Sequence, residues 1–408
     1  MPEHDLHPSL SAYRLGELAL RNRVIKTATF EGMTPGGVPG EDLIEHHREI
    51  AAGGAAMTTV AYCSASRDGL TFEHQMVAGE ALVPGLRRLT DAVHAEGAAA
   101  ALQIGHAGYF ASPSAAGSRP IGASRVFNLY TLTWPRIATR ADLDRIESDF
   151  ARATVFAREC GFDALEVHLG HGYLLSQFLS PYTNRRKDAW GGDLEGRLRF
   201  PLSVLRRVRD AAGKDLAVMA KCNLRDGFTR GLDLSEATEI IRRIQSEGVA
   251  DAVVLSGGFV SKTPFYMMRG ELPVAEMVRN ERQALRRIGL RLFGRLFVQE
   301  YAFEETFFLK DALEVRAAVS SLPLVLLGGI RRLEQMDRAV CEHGFDFVSM
   351  GRPLIMEPDL IRRMQRGEAT CSRCEPCNKC VGEMENSGIR CTHPELGRLS
   401  TSRFARSD

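Results

Sequence analysis

The chain has 408 residues, of which 44% are hydrophobic, 25% charged and 7% aromatic, and its 52 basic residues nearly balance its 51 acidic ones, for a net charge of +1. This composition excludes a disordered or fibrous chain, and the charge balance lacks the basic excess of nucleic-acid-binding proteins. Because the start has no signal-peptide pattern and no apolar run is long enough to span a membrane, we expect a cytoplasmic protein with small-molecule substrates and no nucleic-acid or membrane partner; the sequence also allows an oligomer.

Eight short apolar segments predict buried parallel strands. In a recurring junction, such as RECGFDALEVH at 158–168, a helical pattern ends at Gly and an apolar strand begins at once. The Gly suits a left-handed helix C-cap, and the continuous apolar strand suits a sheet that is buried on both faces. The predicted strands are 23–30, 55–63, 98–106, 164–169, 216–223, 251–257, 322–328 and 346–350. Alternation with helical patterns predicts an α/β fold, a (β/α)₈ TIM barrel, with a doubly wound open sheet as the alternative.

The clearest helix is predicted over 140–160, where an apolar stripe follows Thr139 and Asp142, a pair that resembles a capping box. Two connections are long, namely 107–141 after the third strand and 258–321 between the sixth and seventh. Both leave the carboxyl ends of strands, where barrel active sites form. We expect each to be either a lid over the site or a surface insertion.

Two histidines and a tyrosine follow the fourth predicted strand. His168 and His171 lie at its end, and Tyr173 is two residues further on. At this end of a barrel strand, two histidines can present two N–H donors to one substrate oxygen, and a nearby tyrosine hydroxyl can deliver a proton. A His-x-x-His pair can also bind zinc, but the Glu base of the HExxH motif is missing, so we favour the oxygen-binding interpretation.

Five of the nine cysteines crowd into residues 371–391. An odd cysteine count in a chain without a secretion signal argues against a disulfide framework. Closely spaced Cys-x-x-Cys steps with another cysteine downstream suit a thiolate-held iron–sulfur cluster or zinc. We therefore divide the chain into a barrel over 1–368 and a Cys-rich tail over 369–408 that is not an independent domain.

The run HLGHGYLLSQFLSPYTNRRKDAWGG at 168–192 resembles the Old Yellow Enzyme family of FMN-dependent oxidoreductases, also called NADH:flavin oxidoreductases. The resemblance covers most of residues 10–368. Further matching stretches are LALRNRVIKTATF (18–30), ALQIGHAGY (101–109), LLGGI (326–330) and FVSMGRPLI (347–355). It implies an FMN-binding (β/α)₈ barrel, in agreement with the independent strand count.

The resemblance also implies roles for individual residues. His168 and His171 match the pair that binds the oxygen of the substrate's activating group, and Tyr173 matches the tyrosine that protonates the carbon opposite the hydride. The positions that match flavin-binding residues are Thr27, Ala28, Thr29, Ala61, Gln103 and Lys221, and those that match the FMN phosphate loops are Gly328, Gly329, Gly351 and Arg352.

Three positions depart from the family pattern. Lys221 stands where the family usually has Arg, so the positive charge beside the flavin N1–O2 edge is kept but the planar fork is lost. Phe30 replaces a Thr or Cys and cannot donate a hydrogen bond to the flavin. Ala28 replaces the usual Pro.

The tail stretch CEPCNKC…RCTHP resembles the linker after the barrel in the 2,4-dienoyl-CoA reductase and trimethylamine dehydrogenase branch, where four cysteines hold a 4Fe-4S cluster. The matching positions are Cys374, Cys377, Cys380 and Cys391. A structural zinc or free thiols are the alternatives. The relatives continue into nucleotide-binding domains, whereas this chain stops at Asp408. We therefore expect reducing equivalents from a diffusing nicotinamide or a separate protein.

Together, these features predict an FMN-dependent oxidoreductase in which NADH or NADPH reduces the flavin and an α,β-unsaturated carbonyl alkene is then reduced. An amine or ether dehydrogenase of the same family is the first alternative. From other classes, the alternatives are a zinc hydrolase at His168 and His171 and a redox-sensing flavoprotein in which the cysteine tail is the switch.

Overall fold

A closed barrel of eight parallel strands forms the centre of the protein. The computed structural model describes residues 7–281, 284–384 and 388–393. The strands are β1 (Tyr13–Leu15), β2 (Leu18–Leu20), β3 (Val24–Lys26), β4 (Met57–Ser64), β5 (Ala99–Gly105), β6 (Ile121–Gly122), β7 (Arg136–Ile137), β8 (Ala164–His168), β9 (Ala217–Asn223), β10 (Ala252–Ser256), β11 (Leu324–Leu327) and β12 (Phe347–Met350). Around the barrel the order is β3-β4-β5-β8-β9-β10-β11-β12, and β12 pairs with β3 to close it.

This architecture confirms the predicted TIM barrel, and the open-sheet alternative is wrong. All eight predicted strands form, because each is apolar on both faces and the helices cover the outside. In β4, β5, β8 and β9 every residue is buried. The first barrel strand is shorter than predicted, since pairing with the neighbouring strands ends at Lys26 instead of continuing to Phe30.

Helices alternate with the barrel strands. They are α1 (Glu41–Ala52), α2 (Val83–Ala95), α3 (Pro113–Ala116), α4 (Arg140–Glu159), α5 (Leu174–Leu179), α6 (Leu194–Ala212), α7 (Leu234–Glu247), α8 (Val274–Asn280), α9 (Ala284–Phe297), α10 (Leu309–Ala318), α11 (Leu333–Cys341), α12 (Arg352–Met356), α13 (Leu360–Gln365) and α14 (Lys379–Gly382). The predicted capping box begins α4, where Thr139 Oγ1 accepts from Asp142 N and Asp142 Oδ2 accepts from Thr139 N. Within the described ranges, no helix is long and apolar enough to cross a membrane.

The two long connections carry small elements of their own. Residues 107–141 contain α3 and the short pair β6–β7, and residues 258–321 contain α8, α9 and α10.

The described part of the tail packs on the barrel. Ile389 N donates to Glu31 O at 2.7 Å, and Leu333 N donates to Thr370 O at 2.9 Å. Residues 385–387 and 394–408 of the predicted tail, including Asp408, lie outside the described residues.

Candidate active site

The two predicted histidines and the tyrosine meet at the carboxyl end of β8. His168 is the last residue of the strand, His171 lies in the turn that follows, and Tyr173 immediately precedes α5. The His168 ring centroid is 4.8 Å from that of His171 and 4.7 Å from that of Tyr173. The structure therefore brings the three predicted side chains into one cluster.

Burial sets the protonation of this cluster. It lowers the pKa of His168 well below its ordinary value, and it lowers that of His171 to about 3, with the positive charge of Lys221 adding to both effects. Burial also raises the pKa of Tyr173 well above the ordinary 10. At neutral pH both imidazoles are therefore neutral, each with one N–H donor, and the phenol keeps its proton.

Aromatic residues that the sequence reasoning missed surround Tyr173. The Tyr62 ring lies 5.3 Å from Tyr173, and its hydroxyl is 2.6 Å from Thr71 Oγ1. Phe110 packs edge-on against Tyr173 at 6.0 Å, and Tyr130 lies over Phe110 at 4.9 Å. Because Tyr130 belongs to the long connection after β5, that connection forms part of the wall of the site. The position of Tyr62 directly after Ala61 was the sequence signal for it.

A second polar group lies inside the barrel among the predicted flavin-edge residues. Lys221 Nζ is 2.8 Å from Glu166 Oε1, and Gln103 Nε2 donates to the same oxygen at 2.6 Å. Lys221 Nζ also donates to Thr27 Oγ1 at 3.3 Å. Because the Gln103 Nε2 points to Glu166, the Gln103 Oε1 is left as an acceptor for an N–H group of a ligand. Sequence reasoning missed Glu166, although strand alternation places it on the same face as His168.

The glycine loop after β11 has a backbone that favours glycine. Gly328 and Gly329 have φ of 103° and 78°, and a Cβ at Gly329 would lie 2.7 Å from Glu304 O, so no side chain fits there. Gly351 faces Thr27 across the junction of β12 and β3, where Thr27 N donates to Met350 O. The strand ends thus bring the loop that holds Gly351 to the turn that holds Thr27 and Thr29.

Arginines near these loops fit an anionic group such as a phosphate. Arg331 follows Gly329 by two residues, and Arg269 lies 4.8 Å above the ring of Phe307, which in turn borders Gly328. The Nε atoms of both arginines are buried without a hydrogen-bond partner. Carboxylates lie near both side chains, with Glu305 Oε1 4.0 Å from Arg331 Nε and Glu304 Oε2 3.7 Å from Arg269 Nη1, while the two Nε donors stay available to an acceptor.

Arg352, a predicted phosphate ligand, reaches the cysteine tail. It lines one cavity together with Cys374, Cys377, Cys380 and Cys391, and its Nη1 donates to Asn378 Oδ1 at 2.6 Å. The four predicted ligands are therefore gathered at one place. No three of their sulfur atoms lie within 4.8 Å of one another, so the thiols are not drawn together around a single ion.

In the described part of the chain, one group of three metal-ligating side chains converges within 4.8 Å: Glu31, His46 and His47. The Lys26 ammonium already binds Glu31 Oε1 at 2.6 Å, so the carboxylate has its cation. The other oxygen of Glu31 accepts from the backbone N of Ala61, a predicted flavin-binding position. Neither His168 nor His171 belongs to such a group, so the structure does not support a zinc-hydrolase site.

Phe30 stacks on Phe72 with the ring centroids 4.7 Å apart. A stacked aromatic side chain thus occupies the place of the hydrogen-bonding residue that is usual in the resembling family.

Comparisons with known proteins agree with this geometry. The NADH:flavin oxidoreductase / NADH oxidase family matches residues 12–262. The 4,4'-dithiodibutanoate disulfide reductase of Rhodococcus erythropolis is 45% identical over 378 residues, covering 93% of each chain. A metal reductase of Desulforamulus reducens is 30% identical over 91% of this chain, which spans only 50% of that protein. A solved structure of 2-naphthoyl-CoA reductase with 2-naphthoyl-CoA superimposes with a TM-score of 0.81 at 23% identity, over 98% of this chain and 58% of that one, which supports the fold.

Proposed function

This chain belongs to the NADH:flavin oxidoreductase / NADH oxidase family and is an NAD(P)H-dependent flavin oxidoreductase, and from that premise we propose that it reduces activated alkenes, namely α,β-unsaturated carbonyl compounds, with FMN as its cofactor. The observation that carries the proposal is the cluster of two neutral histidines, of which His168 is buried and His171 partly buried, and one protonated tyrosine. Bound FMN supplies the hydride after the nicotinamide has reduced it.

The residues divide the remaining work. Gln103, Lys221 and the turn after β3 hold the flavin ring, and the glycine loops with Arg269 and Arg331 hold its phosphate. His168 and His171 donate hydrogen bonds to the substrate carbonyl oxygen and stabilise the negative charge that develops on it. Tyr173 delivers the proton that completes the reduced C–C bond, in a position where aromatic neighbours exclude water.

The test is to reduce the purified flavoprotein anaerobically with NADH or NADPH and then to mix it with 2-cyclohexenone or an organic disulfide; in a separate arm, the oxidised flavoprotein is mixed with a tertiary amine and no nicotinamide. Rapid reoxidation of the flavin by the enone, with saturated ketone as product, is expected. If the enone leaves the flavin reduced while another acceptor is turned over, the alkene proposal is wrong. Oxidised flavin that the amine bleaches would instead support the dehydrogenase alternative.

Organic disulfide reduction is the second candidate, because the relative that covers 93% of this chain at 45% identity is named for that activity. Hydride addition to one sulfur breaks the S–S bond and gives a thiol and a thiolate. The N–H donors of His168 and His171 can stabilise that thiolate, and Tyr173 can protonate it. The same anaerobic experiment separates the two candidates, since thiol release is read with a chromogenic disulfide exchange reagent.

For the tail, we infer that Cys374, Cys377, Cys380 and Cys391 hold a 4Fe-4S cluster, with zinc or free thiols as the alternatives. Burial raises the pKa of the Cys374 and Cys380 thiols to about 12, while the Arg352 guanidinium that lines the same cavity opposes that shift. A bound metal cluster would keep these buried thiols ionised.

Replacing Cys374 with Ser is expected to remove most of the iron and acid-labile sulfide from anaerobically purified protein. Cys371→Ser is the matched control, since Cys371 lies in the same segment but outside the cavity that the four cysteines line. Iron, zinc and sulfide per chain are measured for both variants. Wild-type protein that carries one zinc, or no metal at all, would contradict the cluster.

A further inference from the structure

The two histidines of the site have different hydrogen-bond partners. Gly170 N donates to His168 Nδ1 at 3.3 Å, so this nitrogen accepts and the proton of the neutral ring lies on Nε2. For His171 the bonded atom is Nε2, which is 2.7 Å from Ser256 Oγ. Two N–H donors for one oxygen therefore require the opposite tautomer at His171, with its proton on Nδ1.

Ser256 can impose that tautomer. It is the last residue of β10 and is buried, and His171 Nε2 is the single hydrogen-bond partner of its hydroxyl within the described ranges. A buried hydroxyl proton without an acceptor is costly. If Ser256 O–H donates to Nε2, this proton is satisfied and the remaining proton of the neutral imidazole must lie on Nδ1.

The backbone of His171 is held independently of Ser256. His171 has φ of 61°, a left-handed conformation that few residues other than glycine adopt. Asn223 Oδ1 accepts from His171 N at 3.0 Å, and Val260 N donates to His171 O at 2.9 Å. The Asn223 amide is itself fixed, because its Nδ2 donates to Asp226 and Gly258.

The register of the barrel explains why these contacts meet. Ser256 at the end of β10 pairs with Asn223 at the end of β9. Asn223 therefore holds the backbone of His171, and Ser256 beside it contacts the ring. Removing the Ser256 hydroxyl should therefore change which nitrogen of the His171 ring carries the proton, and also the tilt of the ring, while the backbone of His171 stays in place.

We propose that Ser256 is a positioning residue that donates to His171 Nε2 and so fixes the Nδ1–H tautomer, which lets His168 and His171 present two N–H donors to one substrate oxygen. The proposal deepens the proposed function, since it rests on that oxygen being bound by the pair. The ligand class that it implies is an oxygen that carries or develops negative charge, such as that of an enolate or a phenolate.

The first test reads the tautomer directly. In flavin-loaded protein labelled with ¹⁵N-histidine, the ring nitrogens of His171 are assigned by comparison with His171→Gln, and the protonated nitrogen is identified from its shift. We expect Nδ1–H in the wild type and in Ser256→Thr, and loss of that single tautomer in Ser256→Ala. Nε2–H in the wild type would overturn the proposal, as would an unchanged tautomer in Ser256→Ala.

The second test measures affinity for a phenolate, with 4-nitrophenol as the probe at mildly alkaline pH. Loss of one donor to an anion should weaken binding about tenfold in Ser256→Ala, and Ser256→Thr should restore it. Ser349→Ala is the matched control, because it removes another buried barrel hydroxyl, one that donates to Ile25 O. Equal weakening in Ser256→Ala and Ser349→Ala would contradict the assignment.

The two measurements also separate this proposal from the proposed function. If the wild-type protein turns over an enone but carries Nε2–H on His171, the proposed function is supported and the proposed role of Ser256 is wrong. If the wild-type protein is inactive with every enone, the proposed function is wrong. The His171 tautomer in the labelled protein still decides whether Ser256 fixes it.

Discussion

Replacing Tyr173 with Phe is expected to slow reoxidation of the flavin by an enone by about 10²- to 10⁴-fold, the usual contribution of a positioned proton donor. Reduction of the flavin by NAD(P)H should be unchanged, because that step needs no proton from Tyr173. Phe keeps the ring that packs against Tyr62 and Phe110, so the shape of the site is preserved.

Stopped-flow absorbance measures the two half-reactions separately. Tyr13→Phe is the matched control: its hydroxyl donates to Asp346 Oδ1, outside the site, so neither half-reaction should change. Because burial holds the pKa of Tyr173 well above 10, the wild-type substrate half-reaction should not lose its proton donor between pH 7 and about 9. If Tyr173→Phe slows both half-reactions by the same factor, Tyr173 is not the proton donor.

The barrel and the His168–His171–Tyr173 cluster were predictable because their signals are local. Most of the strands closely follow a glycine and all are short apolar runs, and the carboxyl ends of barrel strands meet at one face whatever the details of packing. The same logic places Gln103, Lys221 and the glycine loops together. Where pairing stops is less local, and β3 ends at Lys26 because pairing depends on the neighbouring strands.

The polar residues that sequence reasoning missed have partners that are far away in the sequence but lie on or next to a neighbouring strand. Glu166 is a lone acidic residue in an apolar strand until the pairing of β8 with β9 places Lys221 beside it. Ser256 has no motif around it, and its role depends on the register between β9 and β10. Such pairs have no spacing rule in the sequence, because cross-strand distance is set by the fold and not by chain separation.

The ion pair between Lys26 and Glu31 is buried next to the backbone of Ala61, and removing one partner should be costly. Lys26 and Glu31 are 0% and 2% exposed, and their charged atoms are 2.6 Å apart. Replacing Glu31 with Gln leaves the ammonium without its counter-charge, so we expect a loss of about 3–5 kcal/mol in the free energy of unfolding.

Chemical denaturation of Glu31→Gln measures that loss, and two further variants test its cause. Lys26→Met combined with Glu31→Gln should recover most of it, since no charge is then stranded and the Gln oxygen can still accept from Ala61 N. Glu17→Gln is the control, because its pair with Arg14 is 84% exposed at the carboxylate and should contribute about 0–1 kcal/mol. A double variant as unstable as Glu31→Gln alone would show that packing, and not charge, carries the effect.

The pH dependence of the stability difference between the wild type and Glu31→Gln tests independently whether the charge of Glu31 causes it. Burial alone would raise the pKa of Glu31, but the Lys26 ammonium and the hydrogen bond from His47 outweigh it, so the pKa lies below its ordinary value. A carboxyl whose folded pKa is depressed stabilises the protein above its unfolded pKa of about 4.3 and loses that contribution as the pH falls through the folded value. The stability gap between the wild type and Glu31→Gln should therefore be full at pH 7 and shrink below about pH 4. If the difference in the free energy of unfolding stays constant down to the pH of acid unfolding, the loss comes from side-chain packing and not from charge.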